Sequence, residues 1–321
     1  MNALNMDTGQ FVDIHGAPQW VTIRGRDLKN PVMLMLPGPG AGFSRMAEFF
    51  SPWERDFTLV QWDQPGAGAT AAKLGAAAGG PMNYDRIVRD GIAVAEWVVR
   101  RLAVPKVALL AFSGGTIVGL KMIRERPELF SAYVGSGQIV NWARQDTLSY
   151  RLILERARTA RNAAAIAELE SIGAPPYAST AEDSIKSKYA GAPTPAEQHA
   201  LAQLDPRVMA SMNTPPPDAN YVPRGLALGD ARTQAMAAYT ALRDELMAFD
   251  ARRLGLKYFV PMLFLQGELD EFTVTSEVRV FADEVEAPRK VFALIEGAGH
   301  SAFLMRDEFL ASLNRHLHSI G

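Results

Sequence analysis

The chain has 321 residues, with 33 Lys+Arg against 35 Asp+Glu, a formal charge of −2, 48% hydrophobic residues and no cysteine. The near balance of charge gives no electrostatic ground for nucleic acid or an anionic membrane as a partner. The missing thiols exclude a Cys nucleophile, a thiolate zinc site, an iron–sulfur cluster and any disulfide framework. At about 150 residues per domain, the length predicts two domains, or one large domain with an insertion.

The N-terminal MNALNMDTGQFVDIHG lacks the basic cluster and apolar core of a secretory signal. Residues 11–14 and 19–23 are expected to pair as an antiparallel edge hairpin that turns near His15, Gly16 and Pro18. Short apolar runs at 31–36, 57–62, 106–112, 131–134, 258–265 and 289–295 read as strands buried on both faces. None nears the roughly 20 apolar residues of a spanning helix, so a cytoplasmic protein without membrane contact is expected. Residues 84–102 place Ile87, Val88, Ile92, Val94, Ala95, Val98 and Val99 on one broad face of a helix. A second helix, 116–126, stops ahead of Pro127, and a third, 305–317, closes the chain.

Alternating strands and helices predict an α/β fold with a mostly parallel sheet covered on both faces. Residues 138–257 break that alternation. They carry charged helix patterns at 149–161, 163–172 and 231–249, with proline breaks at Pro175-Pro176 and Pro215-Pro216-Pro217, and no strong strand pattern. The expectation is a helical cap, or lid, inserted at 138–257 between two parts of one core, 1–137 and 258–321.

The strongest local signal is AFSGG, residues 111–115, where an apolar strand meets Ser113 and then a helix. A serine hydroxyl needs exposure, a base and a stabilised product anion to act as a nucleophile. A sharp strand-to-helix turn supplies the exposure, and small residues two before and two after the serine, here Ala111 and Gly115, let the chain make it. The bland alternative is a serine that only caps the helix. The Gly114 amide would lie at the helix N-terminus, aimed at a developing oxyanion.

Of five histidines, His300 in GAGH follows a strand end, where active sites of parallel sheets form. His316 and His318 fall in the last helical turn, His15 in a hairpin turn and His199 in the polar insertion. Asp270 follows the strand before, with Glu268 and Glu271 as near rivals. Ser113, Asp270, His300 is also the chain order of the strand–serine–helix hydrolase architecture. A second oxyanion donor is sought in PGPGAG, residues 37–42; Pro37 and Pro39 have no amide hydrogen, which leaves Gly38. A phosphate-binding reading of these glycines fails, because neither the Lys-Ser/Thr pair nor the dinucleotide spacing follows.

With these segments in place, the chain resembles the α/β-hydrolase superfamily, and within it the prolyl aminopeptidase (proline iminopeptidase)-like group. Against the family's HGGPG it reads LPGPG at 36–40, against DQRGxGxS it reads DQPGAGAT at 63–70, and against GxSxG it reads AFSGG; GxxD and GxGH match at 267–270 and 297–300. The resemblance implies an α/β-hydrolase fold and a serine hydrolase acting through an acyl-enzyme, with Ser113, His300 and Asp270 as triad and the amides of Gly38 and Gly114 as oxyanion hole. It implies a small-molecule or short-peptide substrate and no metal or organic cofactor. Nothing in the sequence sets the oligomeric state.

Departures fall around the triad rather than in it. Leu36 and Pro37 stand for His and Gly, Pro65 for Arg, and Gly114 for a common Trp, which is expected to widen the space beside the oxyanion hole. They open a second reading, an esterase or lactonase for small apolar acyl groups. In the family, acidic cap residues bind the substrate's amine; Glu155, Glu168, Glu170, Asp183, Asp244 and Glu245 are available, though each reads first as a solvated helix charge. Asp63 reads as a loop organiser. A non-catalytic ligand-binding protein is a remote third reading, since all three triad positions are filled.

Overall fold

The computed structural model describes residues 6–75, 80–216 and 219–320, without the side chains of 318–320. His318 lies in the last turn of the closing helix, Arg306–Ile320, as expected, whereas the third proline of the break, Pro217, lies outside the described residues.

Strands β1 (Met6–Ile14) and β2 (Ala17–Gly25) form the expected hairpin. Asp13 faces Pro18 and Ile14 faces Ala17, which leaves His15 and Gly16 as a two-residue turn. Both have positive φ, +52° and +82°, the mirror-image turn whose twist matches paired strands. The Asp13 carboxylate accepts from the Gly16 amide at 2.8 Å. The strands run beyond the expected limits because residues 6–10 pair through their backbones and have no apolar alternation to betray them.

Six further strands follow: β3 (Val32–Leu36), β4 (Thr58–Asp63), β5 (Val107–Phe112), β6 (Phe130–Ser136), β7 (Met262–Gly267) and β8 (Lys290–Ile295). They complete an eight-stranded sheet in the order β1-β2-β4-β3-β5-β6-β7-β8. β2 pairs with β4 antiparallel, and the strands from β4 to β8 are all parallel. β7 starts later than the apolar run at 258 suggests. Pro261 has no N–H to give a ladder, and Tyr258 bonds instead to the Glu286 carbonyl at 2.8 Å.

Side chains alternate between two cores, as the pleat requires. Leu34, Leu36, Val60, Trp62, Leu109 and Ala111 face one. Met33, Met35, Leu59, Leu110 and Phe112 face the other. The first is covered by α3 (Tyr84–Leu102) and α4 (Gly115–Glu125), with Ile87, Val88, Val94, Ala95 and Val98 of α3 buried. Between strands also lie the short α1 (Ala47–Phe50) and α2 (Gly68–Leu74).

Between β6 and β7 the described chain is helical: α5 (Trp142–Thr159), α6 (Ala163–Ile172), α7 (Thr180–Ala190), α8 (Pro195–Ala202), α9 (Pro206–Asn213) and α10 (Ala231–Met247). Helix α5 starts earlier than its charge pattern suggests, because the Asn141 side chain caps it by accepting from the Arg144 amide at 3.0 Å. Helices α7 and α8 escape an apolar-periodicity reading, yet both open with capping boxes, Ser179 with Glu182 and Thr194 with Glu197. Helices α11 (Thr275–Glu284) and α12 (Arg306–Ile320) finish the fold, and buried Phe309 and Leu313 of α12 join the second core. Among the described residues, no helix is long and apolar enough to cross a membrane.

Candidate active site

Ser113 follows β5 and precedes α4 with φ +49°, a conformation that costs a non-glycine residue on the order of 1 kcal/mol. Three bonds hold it there. Its amide donates to the Ser136 carbonyl at 2.9 Å, and its carbonyl accepts from the Thr116 amide at 2.8 Å and the Thr116 hydroxyl at 2.6 Å. The turn leaves no room for a side chain at 115: a Cβ on Gly115 would stand 2.3 Å from the Leu36 carbonyl oxygen. Ala111 is tolerated two residues before the serine because its methyl packs toward Gly119, whose own Cβ would lie 3.1 Å from it.

The carboxyl ends of β5, β7 and β8 bring Ser113, Asp270 and His300 together. His300 Nε2 lies 2.9 Å from Ser113 Oγ, and His300 Nδ1 lies 3.1 Å from Asp270 Oδ2. The Phe272 ring packs on the imidazole, with centroids 4.5 Å apart. Asp270 is buried, yet its carboxyl is held below the ordinary value. Burial alone would raise it, but the adjacent imidazole and the Thr273 hydroxyl and amide outweigh that penalty. The rival acids turn elsewhere. Glu268 accepts from the Gly297 amide at 2.9 Å, and Glu271 pairs with Arg156 at 2.8 Å. His15 sits in the β1–β2 turn, His199 on α8 and His316 on α12.

The loop after β6 supplies a floor under the imidazole. Gly137 has φ +59°, and a Cβ there would come within 2.8 Å of His300 Cε1. Gly137→Ala is therefore expected to displace the ring and lower kcat by about 10²-fold, since small misplacements of a reacting group cost that much. Steady-state kinetics on the purified variant checks it; a wild-type kcat would show the ring does not need that floor.

Gly38 and Gly114 face each other across the mouth of the turn. A Cβ on Gly38 would be 3.6 Å from the Gly114 amide nitrogen. Among the described residues, no acceptor engages either amide. The loop carrying Gly38 is pinned by Gln64, whose Nε2 donates to the Pro37 carbonyl at 3.0 Å. The widening expected at Gly114 is limited by Pro39, whose Cδ would stand 3.0 Å from a Cβ at that position. Asp63 lies behind this loop, fully buried. It accepts from the Ser44 hydroxyl and the Ala69 amide, both at 2.8 Å. Burial pushes its carboxyl up despite those bonds.

Ser113 and His300 open into a cavity of about 470 Å³. Its walls are mostly apolar, with Phe43, Phe112, Trp142, Leu242, Phe272 and Phe303 among them, and helices α7 and α10 roof it. Asp183 is the one carboxylate among the described lining residues. It is paired with Arg243 at 2.7 Å. Behind Trp142 and Phe272, buried Lys186 pairs with Asp146 and lies over both rings. Among the described residues, no cluster of three or more His, Cys, Asp or Glu is placed to hold a metal ion.

One neighbour of the site escaped the sequence reading. Glu197 of α8 is buried and accepts from the amide of Gly299, the residue before His300, at 2.9 Å. The available signal was its place as the fourth residue of the capping box T-P-A-E.

Comparison with known proteins agrees with this architecture. The family model for serine aminopeptidase, S33, matches residues 29–307. A probable aminopeptidase of Bacillus subtilis, YbaC, is 26% identical over 314 residues, covering 95% of this chain and 94% of that protein. Two solved structures share the fold. The proline iminopeptidase-related protein of Thermus thermophilus superposes with TM-score 0.64 at 19% identity, covering 98% of each chain. A serine hydrolase involved in carbazole degradation superposes with TM-score 0.59 at 17% identity, covering 98% of this chain and all of that one, 100%.

Proposed function

Because the chain belongs to the S33 serine aminopeptidase family of α/β hydrolases, we propose that it cleaves acyl bonds with Ser113 as nucleophile, His300 as base and Asp270 as the carboxylate that orients it. The observation carrying this reading is the unbroken line Asp270 Oδ2, His300 Nδ1, His300 Nε2, Ser113 Oγ, with contacts of 3.1 and 2.9 Å. Ser113 Oγ attacks the substrate carbonyl as its proton passes to His300 Nε2. The Gly38 and Gly114 amides donate to the oxyanion of the tetrahedral intermediate, a donor each worth about 3 kcal/mol in such sites. The imidazolium then gives its proton to the departing amine or alcohol, and an acyl-enzyme remains. Water, deprotonated by His300, adds to the acyl carbon, and the proton returns to Ser113 as the acid leaves. The helical segment 138–257 serves as the lid, shaping the acyl pocket and limiting water entry.

Kinship with aminopeptidases supports an N-terminal peptide substrate with a preference for proline. A second reading, ester or lactone hydrolysis on a small apolar acyl group, is favoured by the Asp183–Arg243 pair. A carboxylate already neutralised by a guanidinium is a poor receptor for a substrate ammonium, and the remaining wall is mostly apolar and offers no second carboxylate among the described lining residues. Measurable turnover of p-nitrophenyl butyrate is expected. Comparison with proline p-nitroanilide decides between the readings, since faster anilide cleavage would restore the amine receptor. If neither turns over and a fluorophosphonate probe leaves Ser113 unlabelled, the hydrolytic mechanism fails.

A further inference from the structure

We propose that Glu197 is a positioning residue for His300, and that through it the helical segment between β6 and β7 holds the base in register. The inference rests on His300 acting on Ser113 as proposed above. The carboxylate is 1% exposed, so its polar contacts decide its energy. Oε2 accepts from the Thr194 amide at 2.8 Å, which closes the capping box of α8. Oε1 leaves the helix altogether and accepts from the Gly299 amide at 2.9 Å. The Thr194 hydroxyl does the same in the opposite sense, donating to the Gly297 carbonyl at 2.8 Å. The two side chains thus grip the loop on both sides of Ala298, immediately before His300.

A box that only capped α8 would not need the second oxygen to reach across 102 residues of sequence. The loop is shaped to receive it: a Cβ on Gly299 would stand 3.0 Å from Thr194 Cγ2 and 3.2 Å from Glu197 Oε2. Burial pushes the Glu197 carboxyl up, while the Thr194 and Gly299 amides and the nearby imidazole pull it back. Burial wins, so the carboxyl stays above its ordinary value, and the two amide bonds offset only part of the cost of burying it. Since α8 lies in the same segment as the roof of the cavity, displacing that segment also frees the His300 loop.

The test compares wild type with Glu197→Ala, Glu197→Gln and Thr194→Val on p-nitrophenyl butyrate, counting active sites by fluorophosphonate labelling. Glu197→Ala is expected to lower kcat by about tenfold to a hundredfold, with KM within about twofold. Glu197→Gln keeps one acceptor oxygen and is expected to fall between it and wild type. Hydrogen exchange across 294–302 is expected to speed up in Glu197→Ala. A lowered melting temperature with wild-type kcat per labelled site would make Glu197 a structural cap only and overturn the proposal. So would unchanged exchange in the loop. Should Glu197→Ala not fold, the Gln and Thr194→Val variants carry the same comparison. A wild-type protein that neither turns over nor labels would defeat the reading of Ser113 instead, and the exchange experiment would still report whether the grip exists.

Discussion

Ser113→Ala is expected to lower turnover of p-nitrophenyl butyrate by about 10⁴-fold or more, the loss typical when a serine nucleophile is removed. The melting temperature is expected to stay close to that of wild type. The hydroxyl bonds to His300, whereas the turn is held by backbone bonds to Ser136 and Thr116 that alanine keeps. Alanine also tolerates φ +49° about as poorly as serine does, so backbone strain changes little. The pairing of lost activity with kept stability is what marks a chemical role. Wild-type turnover in the variant would place the nucleophile elsewhere. A large fall in melting temperature would make the residue structural.

Asp270→Asn is expected to cost about 10⁴-fold in kcat through the wrong tautomer of the base. All five neighbours of this carboxylate are donors: the Phe272 and Thr273 amides on Oδ1, and Gln266 Nε2, the Thr273 hydroxyl and His300 Nδ1 on Oδ2. An asparagine must turn its NH₂ toward one set. Facing the backbone, it opposes two N–H groups. Facing His300, it asks Nδ1 to accept, which puts the ring proton on Nε2 and leaves Ser113 without a base. Either choice leaves a buried donor unpaired, at about 1–3 kcal/mol. Steady-state kinetics with a parallel thermal melt separates the two. A kcat within tenfold of wild type would remove Asp270 from the mechanism and return attention to Glu268.

Much of this was legible in the chain because the relevant physics is local. Strands β3 to β8 are short, apolar and end in turn residues. The segments AFSGG and GELD begin in the last residues of β5 and β7, and GAGH follows β8. Gly115 is required by a carbonyl from a different strand, Leu36, but its absence of a side chain shows in the pentapeptide itself. The edge hairpin announced its turn through His15-Gly16, not its full length, since its polar first half has no apolar period.

What stayed hidden depends on partners far away in sequence. Asp183 reads as one more solvated helix charge until Arg243 and the cavity are seen beside it. Glu197 has the spacing of a helix cap, and nothing local tells that one of its oxygens serves Gly299. Gly137 looks like an ordinary turn glycine until the His300 ring is found against it. Residue type announces the groups proposed to react, whereas the groups that hold them in place are chosen by three-dimensional proximity.

The contact between Ser113 and His300 spans 187 positions, and the strand that delivers the histidine is the last of the sheet. Chain closure over such a distance is slow relative to local pairing. If His300 is the base, as proposed, a nascent polypeptide carries Ser113 without its base until the last part of the chain has been made. On that reading, competence is expected only once β8 and α12 have docked. On the proposed mechanism, a chain truncated before residue 300 lacks the base and is expected not to turn over p-nitrophenyl butyrate.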